Sequence, residues 1–223
     1  MPIKQDPDDL RYKPLYSIAE VGRYTRVQHT TLRSWIQSKS GDLLVPAASH
    51  TIAPLSFINL VESHVLVALR GRYHVPMRQI LRAVEWLKEI YGVGHPLAEI
   101  DLETDGREVF IRELGHPISA SRKGQMGIDA ILSRYLKRIE RDPENLPIRF
   151  YPLTYETTPK LIVMDPAVAF GRPVIKGTRI TTPMVFERYS GGESLQDIAD
   201  DYDLDISDVE EALRCEIERR AAA

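Results

Sequence analysis

Soon after its polar start, this chain places apolar side chains at helical spacing. Ile18 and Val21 share a face behind Ser17, a good N-cap, and predict a short helix to about Tyr24. Arg26-Val27 supplies a turn. Leu32, Trp35 and Ile36 at i, i+3, i+4 then predict a second helix from about His29 to Gln37, packed on the first with Thr30, Arg33 and Gln37 facing out. Gly41 to Pro54 reads as a wing or loop. Ser56 caps a helix to about Leu69 that is apolar around most of its circumference and therefore belongs in a core. Behind Pro76, the residues Ile80, Val84, Leu87 and Tyr91 form the stripe of a further helix ended by Gly92, suited to a core or a dimer seam.

From Pro96 to Arg112 the period shortens. Ile100 and Leu102 alternate with acids, Asp105-Gly106 is a turn pair, and Val109 and Ile111 alternate again, which predicts a β-hairpin. Ile128, Ile131, Leu132, Tyr135, Leu136 and Ile139 return to helical spacing over Gln125–Arg141. Asp142–Lys160, with four prolines, predicts a linker with room for a short strand. Leu161–Met164 is a strand candidate, and Pro183 opens a helix that Gly191-Gly192 ends. Two capping-box patterns, Ser194 with Asp197 and Ser207 with Glu210, open the last two helices. The expected fold is mainly α with small β elements. It comprises a polar tail (1–14), an N-terminal winged helix-turn-helix domain (15–92), a hairpin-and-helix segment that bridges or dimerises (93–141), a proline-rich linker (142–160) and a C-terminal three-helix, helix-turn-helix-like domain (161–220).

Charge separates the two helix-turn-helix patterns. Among 223 residues with a net charge of -3, positions 1–90 carry 12 basic and 8 acidic side chains, while 161–223 carry 7 and 13. Glu193–Glu218 holds eleven carboxylates against the single basic residue Arg214. DNA is a polyanion, so only the front pattern suits it. There Gln28, His29, Thr30, Thr31 and Arg33 occupy the first turns of a recognition helix, where Gln can bond adenine, Arg guanine, and Thr a thymine methyl or a phosphate. Arg23, Arg26 and Lys39 are placed as phosphate anchors. At the rear, Asp208, Glu210 and Glu211 occupy the turn that would approach phosphates, and like charge opposes docking.

Candidate catalytic chemistry is sparse. Asp201, Asp203 and Asp205 match the opening of a calcium loop, but Ile206 and Ala212 stand where that loop needs glycine and a bidentate glutamate, so no metal site is expected. Lys176-Gly177-Thr178 reverses the order of a phosphate loop. The histidines, His29, His50, His64, His74, His95 and His116, lack ligand spacing. The lone Cys215 sits among glutamates that disfavour a thiolate. The expectation is a cytoplasmic, non-enzymatic protein without cofactor, metal or membrane span.

Two resemblances give this pattern a function. Tyr16-Ser17-Ile18-Ala19-Glu20-Val21, followed by Thr31-Leu32-Arg33-Ser34-Trp35, resembles the start of a MerR-type winged helix-turn-helix. Arg26-Val27-Gln28 stands where that family has a glycine-containing turn. The resemblance implies major-groove docking, a wing on the phosphates and a dimer on a palindromic site. At the rear come Asp165-Pro166, then Gly171-Arg172-Pro173-Val174-Ile175-Lys176-Gly177-Thr178-Arg179-Ile180, Gly192-Glu193-Ser194 and Ile198-Ala199-Asp200-Asp201-Tyr202. This run resembles the small helical domain of VapB-like antitoxins, formerly a domain of unknown function, over about Leu161–Arg220. It implies the antitoxin of a type II toxin–antitoxin system that inhibits a PIN-like ribonuclease toxin and, with it, represses its own operator DNA, as a homodimer or a larger hetero-oligomer. Candidate toxin or dimer contacts are Arg172, Lys176, Arg179, Met184, Phe186, Tyr189, Arg219 and Arg220. The rival readings are a stand-alone MerR-like regulator with a ligand-sensing or dimerising rear domain, and a nuclease using Asp200, Asp201 and Asp203.

Overall fold

The computed structural model describes residues 8–36, 44, 47, 51–72, 75–102, 133–152 and 159–221. The expected hairpin turn at Asp105-Gly106, most of the wing, Gln37, Lys39 and the first part of the Gln125–Arg141 helix lie outside them. The architecture is mainly helical with two small antiparallel sheets, as expected.

In the front half, α1 (Ile18–Thr25) and α2 (His29–Ile36) form the first helical pair. Ser17 closes a full capping box with Glu20, each side chain bonded to the other's backbone amide. α3 (Phe57–Val67) starts from a second box, Ser56 with Asn59, and is buried almost throughout, as its all-round apolar pattern requires. α4 (Met77–Tyr91) follows Pro76 and ends at Gly92, whose φ of 65° is the left-handed C-cap. The expected strand at Ile100 begins instead as α5 (Pro96–Glu99). Proline suits a first helical turn, and the Glu99 carboxylate accepts from Tyr12 Oη at 2.6 Å and from the His95 amide at 2.8 Å, closing that turn.

The Gln125–Arg141 stripe is helical at 133–136 and then changes: Ile139–Arg141 is β1, paired antiparallel with β2 (Pro147–Phe150), Ile139 opposite Phe150. Ile139 continues a helical stripe and equally fills an inward strand position, so spacing alone misplaced the boundary. The proline-rich segment thus carries a strand, and Phe150 enters the front core with Tyr16, Leu32, Trp35 and Leu60.

In the rear half, β3 (Ile162–Val163) pairs with β4 (Val174–Ile175). They cover α6 (Thr182–Ser190), α7 (Leu195–Tyr202) and α8 (Ile206–Ala221) around a second core that includes Val185, Ile198, Val209 and Leu213. Ser194 caps α7 through the Asp197 amide at 3.1 Å. Ser207, however, lies inside α8. The carbonyl of Asp205 takes the Asp208 amide at 2.9 Å, so the helix starts ahead of the Ser207 capping pattern.

Candidate functional site

The turn between α1 and α2 is made by close packing. A Cβ on Gly22 would lie 2.7 Å from the Val27 carbonyl oxygen, so only glycine lets the two helices approach this closely. The Gly22 carbonyl accepts the Val27 amide at 2.9 Å, while Arg26 takes the left-handed position with φ 59°. The glycine this kind of turn requires therefore sits four residues earlier, at the end of the close approach, and an arginine accepts the positive φ. This presents Gln28, His29, Thr30 and Arg33 to solvent and leaves Thr31 half-buried. Ala19, Gly22, Arg23, Val27, Gln28, His29 and Thr30 line a cleft of about 280 Å³ beside the turn. Arg23 is half-buried, and its Nε has no hydrogen-bond partner among the described residues.

Arg26 is not free. Its guanidinium pairs with Glu218 of α8, so the rear helix reaches the turn of the front pair. Arg219 lies 5.7 Å from the Tyr24 ring centre, and the buried Tyr16 hydroxyl donates to the Gly171 carbonyl at 2.8 Å. Gly171 has φ 71°, and a Cβ there would fall 2.2 Å from that hydroxyl. Tyr16, Gly171 and Glu218 were absent from the candidate residues. They are remote from one another in sequence, and no local pattern announces the contact.

The rear candidates divide by engagement. Arg172, Lys176, Arg179, Met184 and Tyr189 face solvent. Arg219 and Arg220 are instead engaged by the fully buried Glu216, through Nε at 2.9 and 2.8 Å. Burial pushes the Glu216 carboxyl up, but the hydrogen bonds from Arg219 and Arg220 outweigh it and hold the group below its usual range. Arg220 stacks over Phe186 at 4.0 Å, which leaves Phe186 half-buried. Lys176 and Arg179 border an open cleft of about 530 Å³ with Val163, Val168 and Val174 in its lining.

The acidic turn is also less uniform than its composition. Glu211 is 2% exposed and accepts from Arg214 Nη1 at 2.6 Å, so it faces inward while Glu210 faces out. No metal-binding group of His, Cys, Asp and Glu occurs among the described residues. The Cys215 thiol is pushed up to about 12, by burial first and by Glu216 and Glu211 second. No described helix is long and apolar enough to cross a membrane.

Residues 162–214 match a family described as "Protein of unknown function (DUF433)". The chain is 32% identical to "Putative antitoxin VapB45" of Mycobacterium tuberculosis, over 92% of this chain and 95% of that protein. It is 26% identical to the M. tuberculosis protein Rv2308, over 90% and 89% of the two chains. The crystal structure of Rv2018 from the same organism superposes with a TM-score of 0.73 at 27% identity, covering 90% of this chain and 98% of that one.

Proposed function

Because this chain belongs to the family of "Putative antitoxin VapB45", we propose that it is the antitoxin of a type II toxin–antitoxin pair and the repressor of its own operon. The observation that carries the antitoxin reading is the near full-length likeness to that protein. Its toxin is a PIN-like ribonuclease, encoded beside it. The rear domain binds the toxin through its exposed side chains, among them Arg172, Met184 and Tyr189. Arg219 and Arg220 are set aside for this role, since their guanidinium groups already serve Glu216.

The front pair reads operator DNA in the MerR-like manner. Gln28, His29, Thr30 and Arg33 stand exposed on one helix start, where base edges are contacted, and Arg23, Thr31 and Lys39 support the phosphates. Arg26 contributes to DNA only as far as Glu218 leaves it free. The protein acts without catalysis or cofactor.

Co-expression with the product of the adjoining reading frame, followed by co-purification and a ribonuclease assay, tests the proposal. A stable complex and suppressed RNA cleavage are expected. Failure to bind that product or to relieve its toxicity removes the antitoxin reading.

A further inference from the structure

The small sheet of β3 and β4 is apolar on both faces. Ile162 and Ile175 pair across the strands and enter the helical core, while the next pair, Val163 and Val174, points the other way. There the two valines join Tyr151 in a small core of their own, with Val168 packed against it. Val163, Val168 and Val174 also line the open cleft of about 530 Å³, a size within the range of about 300–1,000 Å³ usual for small-molecule sites. A sheet face that only had to meet water would carry polar side chains at these positions.

The polar groups around this floor leave a surplus of positive charge. Arg149 bonds Glu140 at 2.9 Å and Asp165 at 3.2 Å, so both carboxylates are already paired. Glu140 also accepts from the Tyr151 hydroxyl at 2.7 Å, and Asp165 from the Ala167 amide at 2.9 Å. Thr178 is occupied too, donating to the Ile175 carbonyl at 2.9 Å and accepting from the Ile180 amide at 3.0 Å. Lys176 and Arg179, by contrast, are exposed at the cleft edge and make no ion pair with a described residue. Gly177, with φ 84°, turns the backbone between them. Lys176 lies 5.8 Å from the Tyr151 ring centre, and Lys160 lies 5.0 Å from the same ring. A ring face attracts an ammonium electrostatically without filling its three N–H donors, which stay available to an anion. Lys176 also favours the ionised form of Glu140 from a distance, without pairing with it.

We propose that this cleft binds a small amphipathic anion, its apolar body on Val163, Val168 and Val174 and its acid head on Lys176 and Arg179. The head is a carboxylate or a phosphate ester, and the body is a hydrocarbon chain or ring. This site rests on neither the antitoxin nor the DNA reading.

Isothermal titration of the full chain tests it, with octanoate and octyl phosphate as probes for the two heads. At least one of them is expected to bind at one site per chain, more weakly as salt is raised, and to raise the melting temperature. Acetate and inorganic phosphate, which lack the body, and octanol, which lacks the charge, each bind at least about tenfold more weakly, about 1.4 kcal/mol. Lys176→Gln with Arg179→Gln weakens the bound amphiphile by a similar factor, and Val168→Ser weakens it without altering charge. Arg33→Ala, on the front helix pair, leaves it unchanged. Melts matching wild type without ligand show that the substituted chains keep their fold. Failure of both amphiphiles to bind overturns the proposal, as does equal binding of the bare ions or of octanol. So does binding that survives Lys176→Gln with Arg179→Gln, which is adsorption elsewhere on the surface.

Discussion

His64 is fully buried in α3, against the Tyr135 and Phe150 rings, and its Nε2 donates to the Tyr135 carbonyl at 3.0 Å. Desolvation is the main reason its pKa falls from 6.5 to about 4, with the Arg138 charge assisting and the Tyr135 hydrogen bond opposing. The unfolded chain therefore binds a proton between pH 6.5 and 4 that the folded one refuses. Stability falls through that window on acidification, by about 3 kcal/mol in all from this group. His95 works in the opposite sense: burial lowers its pKa, but Glu62 at 3.0 Å and Glu99 outweigh it, so the stabilisation is present below pH 6.5 and fades as pH rises through the folded pKa. Urea denaturation across pH should show His64→Gln, which keeps a donor for Tyr135, flattening the slope between pH 4 and 6.5. An unchanged slope would assign the acid sensitivity elsewhere. Gly22→Ala drives a methyl to 2.7 Å from the Val27 oxygen. It should cost about 1–3 kcal/mol in the same assay, with a loss of operator binding that tracks the altered turn.

Between elements, charge separates the helix pair proposed to read DNA from the acidic rear pair. Arg33→Ala should weaken operator binding by about 1–3 kcal/mol in a mobility-shift titration, whereas Glu210→Lys should leave it nearly unchanged. Equal losses from both would refute the assignment of separate faces. Glu211 is unsuitable for that comparison, because reversing a buried, Arg214-paired carboxylate attacks the fold itself. The Arg26–Glu218 pair gives a sharper reading. Glu218→Gln should tighten DNA binding and steepen its salt dependence by about one phosphate contact, and Arg26→Gln should abolish that gain. If Arg26→Gln weakens binding equally with and without Glu218, the rear helix does not govern the turn. Sequence patterning located α1, α2, α3 and α4 because each has a cap or an unbroken apolar face, and the exposed start of α2 followed from the same faces. It failed where one side chain fits two periods, as at Ile139, and where proline and an inward carboxylate made a helix of α5. It also overstated the outward charge of α8, since Glu211 and Glu216 look like solvent-facing acids until Arg214, Arg219 and Thr182 are seen around them.

Across the whole molecule, the Tyr16 hydroxyl and the Gly171 carbonyl join the front core to the rear loop, with Arg26–Glu218 and Arg219 over Tyr24 beside them. Tyr16→Phe leaves the Gly171 carbonyl without this donor and should cost about 1–3 kcal/mol. Calorimetry should then resolve the single unfolding transition expected of wild type into two, front and rear. A single transition at an unchanged midpoint in Tyr16→Phe would show that this bond does not couple the halves. The two bonded groups lie 155 residues apart in the chain. During synthesis the front helices leave the ribosome long before Gly171 exists, so the residue that precedes the first cap waits for its buried partner through most of translation. The front pair therefore acquires its finished support only when the segment that begins at Ile162 has started to emerge. A chain cut short before that point carries the residues proposed to read DNA without the hydrogen bond beneath them or the glutamate beside them.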